Sequence, residues 1–357
     1  MRCGVYLVAE DGARTALLLR DADQESGMSN VMVQIVSTDP QRAAQVAVEL
    51  RSLAVVHNVF RHQVLSFAGG QMFDYGQTVL RFHHRPRMTA GELILPAETL
   101  KVVGRQVVDV ARHKERLRTA GQHLKRGLLL YGPPGVGKTH TVRYLMSRLT
   151  ETTVVQVTGD SMHLIGPACS IARALQPAMV VVEDVDLIAE DRGDYPGQHP
   201  LLFQLLNEMD GLEEDTDVVF VLTTNRADLL EPALAARPGR VDQAVELQLP
   251  DRAARGRLFD LYRGGLDVDE SNLDDVLRRT EGVTASFLKE LLRRSAVFAA
   301  ARAPDKASEG SRALDEPPHV CAADLNDALS ELLDTRNAMT RVLLGAGRRP
   351  LDGVDSP

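Results

Sequence analysis

Tryptophan is absent from this chain, and all aromatic residues together make up only 4% of it. So small a supply disfavours an aromatic platform on which the bases of a single-stranded nucleic acid stack. A basic excess is missing as well. Lys and Arg number 41 against 49 Asp and Glu, a net charge of -8, which gives no general attraction to nucleic acid or to an anionic membrane. The three cysteines, Cys3, Cys169 and Cys321, lie far apart in no metal-ligand spacing, as expected of reduced thiols in a cytosol and not of a disulfide framework. No apolar run approaches the roughly 18 residues of a membrane span, and the N-terminus has no signal-peptide core, so a cytoplasmic protein without a membrane partner is expected. Apolar residues, by contrast, are plentiful: 44% of 357, ample for two or three folded domains.

The chain is organised around residues 125–144. An apolar run, residues 127–131, is short enough for a buried strand, and Val142, Leu145, Met146 and Leu149 recur at helical spacing. Between them stands Gly132, Pro133, Pro134, Gly135, Val136, Gly137, Lys138 and Thr139, a complete phosphate-binding loop in the strand-to-helix setting it requires. The glycines let backbone N–H groups converge on phosphate oxygens at a helix N-terminus. Lys138 supplies a point charge for the β- and γ-phosphates, and the Thr139 hydroxyl is a ligand for Mg²⁺, so ATP with Mg²⁺ is the expected cofactor.

Residues 1–95 read as a small α+β domain, with strand-length stretches at 5–8, 16–19, 31–36, 64–67 and 79–82. Asp39 and Pro40 mark the N-cap and first position of a helix running to about residue 55. The cluster Arg81, His83, His84, Arg85 and Arg87 is either a solvated edge or a phosphate or partner contact. Residues 100–117 carry apolar positions at helical spacing. Across 96–250, strands at 127–131, 154–157, 179–182, 218–222 and 245–249 alternate with helical stretches, the pattern of a parallel sheet covered on both faces. From 251 to 344 the pattern is wholly helical, interrupted by a mobile loop at 303–318, and residues 345–357 are expected to be a disordered tail.

The run ending in Val182 is followed by Glu183 and Asp184, with Asp186 two residues on. One carboxylate beside the phosphate loop is expected to hold Mg²⁺ and the other to orient an attacking water. Asn225 ends another buried strand, where its amide can hold that water or the γ-phosphate. Arg237 and Arg240 sit together on a turn.

In this order and spacing, residues 97–340 resemble the AAA family of ATPases. The resemblance implies a P-loop NTPase αβα core followed by a small helical lid. It makes Gly132 to Thr139 the Walker A loop, residues 179–184 Walker B and Asn225 sensor 1. Arg237 and Arg240 become arginine fingers reaching the next subunit's nucleotide. Residues 207–212, Asn-Glu-Met-Asp-Gly-Leu, also match the family, and residues 282–286 stand near its Gly-x-Ser-Gly-Ala, with Ala285 in place of a glycine. It implies a homo-oligomer, usually a hexameric ring, that couples ATP hydrolysis to remodelling a protein. An ATP-gated assembly switch is the competing expectation, and a fused zinc protease is disfavoured because no His-Glu-x-x-His occurs.

Two departures stand out. Family members usually end Walker B in Asp-Glu; here the order is Glu183-Asp184, which by position makes Asp184 the water activator and Glu183 the metal support. Its side chain is one carbon shorter, roughly 1.5 Å of reach, so a slower but live ATPase is expected. The family's pore loop is matched by Leu164, Ile165 and Gly166, which either line a pore or pack beneath a shortened helix.

Overall fold

The computed structural model describes residues 3–10, 12–20, 31–67, 80–187, 200–228, 230, 241–302 and 318–334. The chain divides into two units, Met1–Arg61 and His62–Pro357. In the first, β1 (Cys3–Glu10), β2 (Ala13–Arg20) and β3 (Met32–Ser37) form an antiparallel meander. Helix α1 (Pro40–Val56) follows where the sequence places it. The Asp39 carboxylate accepts the Gln41 N–H at 2.9 Å, and Pro40 fills a first-turn position whose N–H has no helical partner.

The second unit opens with β4 (Val64–Phe67) and β5 (Leu80–His83), and this moves the domain boundary expected near residue 95. Both strands belong to a seven-stranded sheet, β4 pairing in parallel with β7 (Thr153–Val157) and β5 closing the edge antiparallel. The physical reason is burial on both faces: Val64, Leu65 and Phe67 are all buried, as in a strand covered by helices and unlike one in a small half-exposed sheet. The full order is β10-β6-β9-β8-β7-β4-β5, with β6 (Arg126–Tyr131), β8 (Ala178–Val182), β9 (Val218–Thr224) and β10 (Gln243–Glu246), all parallel except β5. Strand β10 ends three residues short of the expected strand's Leu249, although Leu247 is fully buried beyond it.

Two helical layers cover the sheet. On one face α2 (Ala97–Gly104) and α4 (Lys138–Arg148) bury Val103, Val142, Leu145 and Met146 against Leu128, Leu130, Met179 and Val221. The single helix expected over 100–117 is instead broken: α2 passes through a π turn (Arg105–Asp109) and a last turn (Val110–Arg112), and α3 (Lys114–Thr119) starts afresh after His113. On the other face α5 (Ile165–Ala174) and α6 (Pro200–Asp210) bury Ala168, Cys169, Leu205 and Leu206 against Val155, Val180 and Phe220.

The pore-lining reading of residues 164–166 is corrected here. Ile165 is 0% exposed inside this core, and Leu164 packs against it. A side chain built onto Gly166 would lie 3.1 Å from the Gln204 amide. Ile165→Ala is expected to cost about 2 to 5 kcal/mol, as for a large core residue emptied to alanine, measured as a drop in urea midpoint. A pore residue would leave the midpoint unchanged.

Arg85, from the basic cluster, turns inward. Its Nη1 donates to the carbonyls of Met146 (2.9 Å) and Leu149 (3.0 Å) at the end of α4. Its Nη2 donates to those of His62 (3.0 Å) and Thr152 (2.7 Å). At the end of α4 the Met146 and Leu149 carbonyls otherwise accept only the N–H groups of Leu149 (3.4 Å) and Thr152 (3.2 Å), so the guanidinium completes the helix end.

The C-terminal part of the second unit contains α7 (Arg252–Arg263), α8 (Leu273–Arg279), α9 (Ala285–Arg302) and α10 (Ala322–Leu333). It is not wholly helical: β11 (Asp267–Val268) pairs in parallel with β12 (His319–Val320) and brackets the helices. Residues 303–317 of the expected loop and the tail at 345–357 lie outside the described residues. Arg302 donates to the Asp324 carboxylate at 2.7 and 3.2 Å, and with the Cys321 N–H it holds that group down at about 2. A folded value below the unfolded one adds stability above about pH 4 that is lost as pH falls toward about 2. Melting temperature should therefore decline through that window, and less steeply in Asp324→Asn.

Candidate functional site

The loop from Gly132 to Gly137 lies where β6 delivers it, at the carboxyl end of the parallel sheet. Two glycines are required by crowding as well as by backbone angle. At Gly132 (φ 139°) an added Cβ would sit 2.4 Å from the Leu247 carbonyl oxygen. At Gly135 (φ 80°) it would sit 2.9 Å from Thr284 Oγ1 and 3.0 Å from Ser286 Oγ. The segment 282–286 thus folds onto the loop, and the Ser286 N–H donates to the Gly135 carbonyl at 3.3 Å.

Lys138 heads α4, and its ammonium donates to the carbonyls of Gly132 (2.7 Å) and Pro133 (2.9 Å) and to Asn225 Oδ1 (2.8 Å). Burial pulls its pKa down, and the negative charges of Asp184 and Asp186 pull it partly back. The Thr139 hydroxyl donates to Glu183 Oε2 at 2.9 Å. Burial, with Asp184 alongside, pushes the Glu183 carboxyl up, while the Thr139 hydrogen bond and Arg143 act the other way.

Asp184 stands at φ +55°, in the left-handed region that Asp tolerates better than most residues. Its N–H donates to Thr223 Oγ1 at 3.0 Å, which ties the turn after β8 to β9. Its Oδ1 receives the Asn225 amide in a long contact of 3.4 Å. Asn225 is therefore polarised from both sides, its oxygen toward an ammonium and its nitrogen toward a carboxylate.

Asp186 carries a part that sequence reasoning did not assign. It is buried, and its Oδ1 accepts the Thr224 hydroxyl at 2.8 Å and the Asn225 N–H at 3.2 Å, fixing the backbone from which the Asn225 amide projects. The only sequence signal was an acid two residues beyond Asp184. Arg237 and Arg240 lie outside the described residues.

The structure thus brings Lys138, Thr139, Glu183, Asp184 and Asn225 together at the carboxyl ends of β6, β8 and β9. Two hard oxygen donors side by side, Thr139 Oγ1 and Glu183 Oε2, beside a loop crowded so that only glycine fits, suit a nucleotide phosphate with Mg²⁺.

Residues 128–249 match the family described as "ATPase family associated with various cellular activities (AAA)". The chain is 37% identical over 217 residues to ATP-dependent zinc metalloprotease FtsH 2 of Sphaerobacter thermophilus, covering 57% of this chain and 33% of that protein. It is 30% identical over 291 residues to FtsH 3 of Synechocystis, covering 77% and 45%. With 26S proteasome regulatory subunit 6A of Encephalitozoon cuniculi it shares 28% identity over 284 residues, 75% of this chain and 70% of the other. The chain spans a third to a half of the length of these FtsH relatives. A solved structure described as "Structural Basis for Katanin Self-Assembly" shares the fold, with a TM-score of 0.55, 24% identity, and coverage of 72% of this chain and 89% of that one.

Proposed function

The chain carries an AAA ATPase domain, and from that premise we propose that it binds and hydrolyses ATP with Mg²⁺ and spends the turnover on remodelling a protein. The observation that supports this best is the closed set Lys138–Asn225–Asp184 beside Thr139–Glu183, which joins a phosphate-binding cation to two carboxylates with separate surroundings. When bound, ATP with Mg²⁺ would supply the γ-phosphoryl group and a cation that offsets its negative charge. Lys138 neutralises phosphate oxygens, and Thr139 with Glu183 holds the metal. Asp184 takes the proton of the attacking water, whose position the Asn225 amide fixes.

In this reading copies assemble as a hexameric ring in the cytoplasm, and Arg237 and Arg240 of one copy reach the site of the next. Among the described residues no helix is long and apolar enough to cross a membrane. A second reading, an ATP-gated assembly switch with little turnover, is favoured by the burial of Ile165, which takes the expected gripping segment out of solvent.

Phosphate release by the purified full chain separates the two. Turnover that rises severalfold with an unfolded protein substrate supports the motor. Slow, substrate-independent turnover with ATP-dependent assembly supports the switch, and no ATP binding at all defeats both.

A further inference from the structure

Three basic side chains meet beside the phosphate loop. His140 follows Thr139 in the first turn of α4, and Arg143 stands three residues on, along the same side of that helix. The third, Lys289, belongs to α9, whose first turn is seated on the loop. There the Ser286 N–H donates to the Gly135 carbonyl at 3.3 Å, and Lys289 lies one turn beyond Ser286. Burial, and then the charges of Arg143 and Lys289, lower the basicity of the His140 ring, so two cations carried by separate helices converge on it. Arg143 also acts on Glu183, which sets the group next to the carboxylate assigned to the metal.

Lys289 is set apart from the rest of its helix by the lack of a counter-charge. The other basic residues of α9 each donate to an acid, Arg293 (2.7 Å) and Arg294 (2.8 Å) to Glu290 and Arg302 (2.7 Å) to Asp324. Lys289 makes no hydrogen bond or ion pair among the described residues, and neither do His140 and Arg143. The buried side of α9 is taken by Phe287, Leu288, Leu291 and Leu292, which leaves the Lys289 ammonium on the exposed side. Like charges held near one another repel, and an anion placed among them turns that repulsion into binding.

We propose that Lys289, together with His140 and Arg143, takes the α-phosphate of the nucleotide, so that α9 as well as α4 grips the ligand. This rests on the reading of the loop as an ATP site. In that reading Lys138 meets the β- and γ-phosphates and Thr139 with Glu183 meets the metal, which leaves the phosphate next to the ribose without a cation. The basic group begins at the residue after Thr139, next in line beyond the side chains already assigned. Binding then joins α4 to α9 through the ligand, in addition to the Ser286 contact with the loop.

The test compares ATP with ADP, which share the α-phosphate and differ in the γ. In calorimetric titrations of the full chain, Lys289→Met keeps the apolar stem, removes the charge and should weaken both nucleotides by the same factor, about tenfold or more. Lys289→Glu should weaken both further. The melting temperature without nucleotide should hold in either variant, because Lys289 is exposed and makes no bond there to lose. Should the acid variant fail to fold, Lys289→Met alone decides.

Phosphorus NMR of bound ADP reports each phosphate separately: Lys289→Met should move the α resonance and leave the β where it is. Unchanged affinity for both nucleotides overturns the proposal. A loss confined to ATP puts the ammonium on the γ-phosphate, and a moved β resonance puts it on the β; either overturns the assignment. A parent chain that binds neither nucleotide defeats the ATP reading and this contact with it, whereas a parent that binds both beside indifferent Lys289 variants defeats this contact alone.

Discussion

Lys138→Ala should abolish tight ATP binding. The Lys138 ammonium is buried and placed by three hydrogen bonds, to two loop carbonyls and to Asn225, so it is fixed before any phosphate meets it. Hydrogen bonds to a charged group contribute about 1.5 to 3 kcal/mol each. Losing two to phosphate oxygens, about 3 to 6 kcal/mol, corresponds to roughly 10²- to 10⁴-fold weaker binding. The fold should survive, because alanine removes a cation whose burial already disfavours its charge. Calorimetric titration with ATP decides it, read beside the melting temperature. Unchanged affinity in a folded variant would mean that the loop does not hold phosphate.

The reversed acids give the second large effect. Glu183 bonds to the Thr139 hydroxyl and Asp184 meets the Asn225 amide, so the two carboxylates face different work although they are adjacent. Asp184→Asn should bind ATP with near-normal affinity and lose about 10² to 10⁴ in turnover, since an amide cannot take the proton of the attacking water. Glu183→Gln should retain the Thr139 hydrogen bond but weaken the dependence of ATP binding on Mg²⁺. Single-turnover phosphate release, with metal titrated at fixed ATP, separates the cases. A Glu183→Gln chain that holds ATP without hydrolysing it, beside an active Asp184→Asn chain, would reverse the roles.

How much of this was legible depends on how far apart the cooperating residues lie. The loop from Gly132 to Thr139 is read directly, because a phosphate-binding turn is made by consecutive residues between one strand and one helix. Its neighbours were not: the crowding at Gly132 comes from Leu247 and that at Gly135 from Thr284 and Ser286. Glu183, Asp184 and Asn225 were visible as polar ends of buried runs, but Asp186 became a positioning residue only once β8 and β9 lay side by side. Residues 64–67 read as a strand of the N-terminal domain and belong instead to the second unit's sheet, because the pairing Val64↔Val154 leaves no local mark. Ile165 shows the opposite difficulty: an apolar residue beside a glycine has the same appearance in a solvent loop and in a core, and only the helices around it decide.

The Arg85 clasp fixes the point at which the second unit begins. The N-terminal unit ends at Arg61, and the next carbonyl along the chain, that of His62, shares one guanidinium with the last carbonyls of the helix that begins at Lys138. Within the second unit one side chain thus ties its first residue to the far end of the phosphate-binding helix, gripping four carbonyl oxygens. The helix is thereby held at both ends, by Arg85 at its last carbonyls and by the three hydrogen bonds of the Lys138 ammonium at its first residue.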